Sequence, residues 1–158
     1  MRKYIVALLL LVLPAIAKAQ DVGLPIGTVP SAVKLTDLAG KSVDLAQYMG
    51  KKPVLLEFWA TWCPLCRALE PQLRAFQQRW GSKVDMFVVA VGVNQNPASI
   101  QRHLKRHPMP GRVLWDGNGA AVRAFEAPGT SYVVLLDAHG KVVYTGAGSE
   151  QKLTALKL

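Results

Sequence analysis

The sequence predicts an α/β fold: a central mixed β-sheet flanked by helices, with a β-hairpin extension ahead of it. Three observations lead there. Apolar runs that read as strands alternate with amphipathic segments that read as helices, the pattern of a layered α/β domain. The apolar run at residues 54–58 hands over to a helix at a pair of cysteines, Cys63 and Cys66. Two β-rich runs near the end, 131–136 and 141–144, are joined by Asp137-Ala138-His139-Gly140, a hairpin turn signal.

Met1-Arg2-Lys3 is a short positive segment, residues 4–16 are an apolar run, and Ala17-Lys18-Ala19 is a small-x-small cleavage site. These mark residues 1–19 as a secretory signal peptide and 20–158 as the mature domain. The alternative, an uncleaved anchor, is disfavoured by the short run, by Pro14 and by the cleavage site. Residues 21–30 are an extended lead-in rich in Gly, Pro and Val. The stretches 32–35 and 41–44 flank Asp37-Leu38-Ala39-Gly40 and read as a hairpin. Residues 45–48 form a short helical turn closed by Gly50, and Pro53 introduces the central strand.

The long helix is expected over 63–80. Leu65, Leu69, Leu73, Phe76 and Trp80 recur at spacings of three and four, so one face is buried. Residues 84–91 are apolar without alternation, as in a strand covered on both faces. Asn96 caps a helix that opens at Pro97 and runs to about Arg106. A short strand at 112–114, a short helix at 120–125 and a final helix at 151–158 complete the chain.

The length of 158 residues suits one domain, and the formal net charge is +9. Part of that charge belongs to the leader. The remaining basic residues are spread along the chain with no interleaved aromatics, which excludes a nucleic-acid-binding reading in favour of a solvated basic surface. Export implies an oxidising compartment, here the periplasm. The two cysteines are the chain's only ones, so no separate structural disulfide is available.

Cys63 falls at a helix N-terminus, where unpaired N–H groups and the macrodipole stabilise a thiolate. Cys66 follows one turn later, placed to resolve a mixed disulfide formed by Cys63. A Cys-x-x-Cys pair also fits a structural disulfide or half a zinc site, but no second pair or His-x-x-x-His motif supplies further ligands. His103 and His107, four apart on a helix, are candidate metal ligands; Arg102, Lys105 and Arg106 around them favour a solvated basic face instead. His139 sits in a turn. No metal is assigned.

The stretch Phe58-Trp59-Ala60-Thr61-Trp62-Cys63-Pro64-Leu65-Cys66 resembles the F-W-A-x-W-C-x-x-C signature of the thioredoxin superfamily. Pro71 lies where such proteins kink their long helix. The hairpin extension, and later Val88-Val89-Ala90-Val91 and Val113-Leu114-Trp115-Asp116, are similar to the TlpA/ResA branch of exported members. The resemblance implies a thioredoxin fold and a protein-disulfide reductase. Its dithiol would be restored by a membrane-bound electron donor, without a cofactor; the chain is read as a monomer. An oxidant or isomerase running the same chemistry in reverse is the first alternative, because proline stands first between the cysteines here. A copper(I)-handling binding protein using the soft thiolates is the second.

Glu57 stands where thioredoxin has a buried acid. In an apolar interior its pKa should rise, and it would take the Cys66 proton; the alternative is a partly exposed strand-end glutamate paired with a lysine such as Lys52. Trp62, Pro64, Thr130 and Ser131 are the candidate substrate contacts, whereas Trp59 reads as core. The family's cis-proline position is occupied by Ser131. The Thr130–Ser131 bond is therefore expected to be trans, since a cis bond before a non-proline costs about 2.5–4 kcal/mol. A cis Ala127–Pro128 bond is the rival. Ser131 also brings a hydroxyl to the loop, which would stabilise a thiolate.

Overall fold

The computed structural model describes residues 23–158. The signal-peptide reading, at 1–19, lies outside the described residues. The hairpin extension is β1 (Lys34–Thr36) and β2 (Ser42–Asp44), followed by a 3₁₀ turn at Leu45–Gln47. Then come β3 (Val54–Trp59), α1 (Pro64–Trp80), β4 (Asp85–Val91), α2 (Pro97–Leu104), β5 (Arg112–Asp116), α3 (Ala120–Ala124), β6 (Tyr132–Leu136) and β7 (Val142–Ala147). The seven strands form one sheet in the order β2-β1-β5-β4-β3-β6-β7. β3, β4 and β5 are parallel; β6 runs antiparallel to β3, and β1 antiparallel to β5. This is the mixed, helix-flanked sheet the sequence predicts.

β3 lies between β4 and β6, and every one of its residues is buried. Successive side chains alternate between faces. Leu55, Glu57 and Trp59 point to the side covered by α1 and α2: Leu55 clusters with Leu69, Leu73 and Phe76 of α1, and the Trp59 ring meets His103 of α2. Leu56 and Phe58 point to the other side, where Phe58 packs on Phe125 and Tyr132. Burying these large side chains on both faces supplies the main stabilisation, on the order of 1.5–3 kcal/mol each.

The two Asp-x-x-Gly turns are built alike. Asp37 accepts hydrogen bonds from the N–H groups of Ala39 and Lys41, and Asp137 from those of His139 and Lys141. Gly40 and Gly140 take φ of +86° and +78°, values that disfavour any side chain. α2 starts with a full capping box between Asn96 and Ser99.

Two expectations are corrected. Leu65 is exposed, and Cys66 instead joins Leu69, Leu73 and Phe76 on the buried face of α1. The buried positions are spaced by three, four and three, so the stripe passes through Cys66 and leaves Leu65 about 100° away around the helix. The final helix at 151–158 is only a 3₁₀ turn, Leu153–Ala155, with no side-chain cap. A segment this short gains too few hydrogen bonds to offset helix nucleation. It is held instead by burial of Leu153 and by the Leu153 N–H donating to Gln72 Oε1 at 3.0 Å.

The corrected face has a direct consequence. Leu69→Ala should lower the unfolding free energy by about 2–5 kcal/mol, whereas Leu65→Ala should change it by less than about 0.5 kcal/mol. Denaturant titration of both variants checks this; equal losses would show that α1 sits in a different rotation about its axis.

Candidate active site

The site is built where β3 ends. Its last residue, Trp59, leads into Ala60-Thr61-Trp62, and the Cys63 N–H returns to the Ala60 carbonyl at 3.1 Å. That turn sets Cys63 as the N-cap of α1, with extended backbone and Pro64 as the first helical residue. Proline suits that position, since its missing N–H would have had no intrahelical partner. The loop is pinned from β4. Gln95 accepts from the Thr61 N–H at 2.9 Å while donating to the Val91 carbonyl at 2.7 Å, and the Trp62 indole donates to the Val93 carbonyl at 2.9 Å.

Cys63 and Cys66 are joined by a disulfide, with Cα atoms 5.3 Å apart. The Cys66 N–H donates to Cys63 Sγ at 3.0 Å. Cys63 retains 6% of its surface exposure and Cys66 none. The sulfur that receives the helix-terminal N–H is thus also the one nearer solvent. After reduction, negative charge at Cys63 Sγ meets both that donor and the positive end of the α1 macrodipole.

Glu57 lies on the α1 side of β3 and is completely buried, and neither carboxylate oxygen has a hydrogen-bond partner. Burial pushes its pKa well above the ordinary carboxylate value, and the neighbouring Glu70 carboxylate adds to the shift. The pairing alternative is excluded: Lys52 bridges Asp85 at 2.9 Å.

Trp62 is 47% exposed. It borders a groove of about 220 Å³ with Val93, Val122, Pro128 and Thr130, whose lining is mainly apolar. Pro64 and Leu65 are exposed beside the disulfide. Ser131 is placed differently from expectation. It is fully buried, with φ of +60°, and its N–H donates to the Phe58 carbonyl at 2.7 Å. Its hydroxyl donates to the Gly148 carbonyl at 3.1 Å, and its own carbonyl accepts from Gln151. Every polar group of Ser131 is engaged inside the protein, so it offers neither a hydroxyl to the thiols nor a bond to substrate; Thr130 alone of the pair reaches the groove. Proline could neither adopt that φ nor donate that bond. No cis peptide occurs among the described residues, so both the Thr130–Ser131 and Ala127–Pro128 bonds are trans.

The structure also brings together residues that the sequence reading kept apart. Cys63, Arg67, Glu70, His103 and His107 line one small cavity against Trp59. The His103 and His107 rings lie tilted with centroids 4.9 Å apart; His107 is exposed and His103 half-buried, in keeping with a solvated basic face, while both also border this cavity. Among the described residues no three metal-ligating side chains cluster. Neither the role of Gln95 nor this cavity is legible locally, because Gln95, His103 and His107 lie about 30–40 residues beyond the cysteines and no local pattern records such a contact.

The Redoxin family profile matches residues 22–157. A thiol-disulfide oxidoreductase ResA of Bacillus thuringiensis subsp. konkukian is 25% identical over 118 residues, 75% of this chain and 67% of the relative. The ResA of Halalkalibacterium halodurans is 28% identical over 119 residues, 74% of this chain and 66% of its own. The chain thus spans about two thirds of these relatives' length. Among solved structures, a putative thiol:disulfide interchange protein DsbE from Chlorobium tepidum superposes with a TM-score of 0.72 at 24% identity, covering 84% of this chain and 92% of that one. A secreted Mycobacterium tuberculosis disulfide oxidoreductase homologous to E. coli DsbE gives 0.64 at 25% identity, covering 77% and 91%.

Glu57 yields a pH-dependent prediction. A carboxyl whose pKa rises on folding holds its proton more tightly in the native state. Stability therefore falls as pH climbs from the unfolded value, 4.5, through the raised folded one. The oxidised Glu57→Gln variant should be more stable than the parent at about pH 8, the difference closing by about pH 4. Denaturant unfolding at both values measures it; a difference independent of pH would mean that Glu57 titrates as an ordinary carboxyl.

Proposed function

Because this chain belongs to the Redoxin family, as a TlpA/ResA-like protein of the thioredoxin superfamily and a thiol–disulfide oxidoreductase, we propose that it reduces disulfide bonds of exported proteins through Cys63 and Cys66. The observation that carries the reading is the asymmetry of the pair. Cys63 caps α1, keeps a small exposure of 6% and holds the Cys66 N–H, while Cys66 lies fully buried one turn inside.

In the forward direction, the Cys63 thiolate attacks one sulfur of a substrate disulfide, expelling the other as a thiolate. Cys66 then loses its proton and attacks Cys63 Sγ. The Cys63–Cys66 bond forms, the mixed disulfide breaks, and the substrate leaves with both sulfurs reduced. Glu57 is the proposed acceptor of the Cys66 proton. Its raised pKa makes it a stronger base than an ordinary carboxylate. A buried acid on the α1 side of β3 also opposes thiolate charge, which favours the disulfide product and hence the reductive direction. Trp62, Thr130 and the exposed Pro64 would receive an extended substrate segment along the apolar groove.

A reductase of this type needs a dithiol donor, for which a membrane-bound partner is proposed. The leader-like residues 1–19 support export to the periplasm, and the secreted M. tuberculosis protein is in keeping with it. Among the described residues no helix is long and apolar enough to cross a membrane. The domain is proposed to act as a monomer.

Insulin reduction tests the reading. The protein should catalyse it with a reduction potential near about −270 mV; a value near about −120 mV would assign the reverse direction. Glu57→Gln should slow single-turnover oxidation of the dithiol by at least about tenfold while leaving KM nearly unchanged. An unchanged rate across neutral pH would remove Glu57 from the chemistry.

A further inference from the structure

Two side-chain stripes meet at a cavity lined by Cys63 that shares no lining residue with the substrate groove. On α1, Cys63, Arg67, Glu70 and Arg74 follow one another at spacings of four, three and four, one face of the helix. On the facing segment, His103 and His107 are four apart. Together with Trp59, residues Cys63, Arg67, Glu70, His103 and His107 line a partly open cavity of about 20 Å³, room for about one water. The charges are unbalanced. The Glu70 carboxylate is taken by the Arg74 guanidinium, which also donates to the Pro108 carbonyl. Arg67 makes no ion pair among the described residues. Arg106 adds another cation beside His103.

Resting on the reading of Cys63 as the attacking thiol, we propose that Arg67, His103 and His107 form an electrostatic collar that holds the Cys63 thiolate and makes the couple a poorer reductant as the histidines become charged. In the disulfide form the one carboxylate that lines the cavity, Glu70, is shared with Arg74. Burial, then His107, Arg67 and Arg106, lower the His103 pKa, with Glu70 acting against them. In the dithiol form the thiolate adds a second anion, and His103 binds its proton more tightly. By reciprocity, each proton bound stabilises the thiolate. A stabilised thiolate favours the reduced form, so the protein yields its electrons less readily. The collar therefore acts against the α1-side acid, and pH sets the balance between them. Arg67, always charged, gives the constant part; the histidines give the part that depends on pH.

The test is equilibration of the full domain with glutathione, in which two glutathiones are oxidised as the disulfide becomes a dithiol, alongside thiolate absorbance near 240 nm as pH is varied. Arg67→Gln should raise the pH at which Cys63 ionises and lower the equilibrium constant for reduction by about fivefold at neutral pH, with Arg67→Lys restoring most of it. The double variant His103→Gln/His107→Gln should match the parent at about pH 8 and fall below it at about pH 6. A merely structural role would move neither the ionisation curve nor its dependence on pH. If Arg67→Gln and the double variant keep the parental curve and constant, the collar is overturned. If these shifts occur but no variant, nor the parent, reduces insulin, the collar stands and the reductase reading fails.

Discussion

The structure depends on one constraint: β3 must end where α1 begins, with Cys63 as the hinge between them. β3 is buried on both faces and flanked by β4 and β6, so its position is over-determined. The Cys63 N–H to Ala60 carbonyl bond and the Gln95 bridge carry that rigidity through three loop residues to the helix cap. Moving the cap by one residue would place a different side chain at the positive end of α1. The pair's chemistry is therefore a consequence of the sheet, not of the loop alone.

Opposed electrostatic influences meet at this cap. The helix terminus and the Cys66 N–H favour charge at Cys63, and Arg67 with the two histidines extends that influence beyond the helix axis. Glu57, uncompensated and desolvated, disfavours charge nearby. A thiol that ionises too readily makes a stable dithiol and a weak reductant; one that ionises poorly attacks slowly. A site holding both influences can be adjusted by single charges without moving the backbone. The apolar groove at Trp62 and Thr130 shares no lining residue with the cavity at Cys63, so recognition and tuning need not compete for the same residues.

Much of this was legible in the sequence. Alternating apolar runs placed every strand, the Asp-x-x-Gly turns placed both hairpins, and the strand–Cys-x-x-Cys–helix transition placed Cys63 at a cap. The illegible parts have physical causes. Leu65 obeys the helical period, but so does Cys66, and it is Cys66 that the buried stripe of α1 takes. The segment 151–158 is apolar enough for a helix yet too short to sustain one. Ser131 reads as a polar loop residue, but tertiary bonds to Phe58 and Gly148 consume its donors. His103 and His107 keep the solvent exposure their basic neighbours suggest, but that they also border the cavity at Cys63 is illegible, because about 40 residues separate them from the cysteines.

The central claim is that Cys63 attacks and Cys66 resolves. Its most direct measurement is iodoacetamide labelling of the reduced protein over a range of pH, with each modified cysteine mapped by peptide mass. The account predicts that Cys63 is labelled first and ionises well below the value of a free thiol, about 8.5, while Cys66 stays protected. Labelling of Cys66 ahead of Cys63, or a Cys63 that titrates like a free thiol, would contradict it.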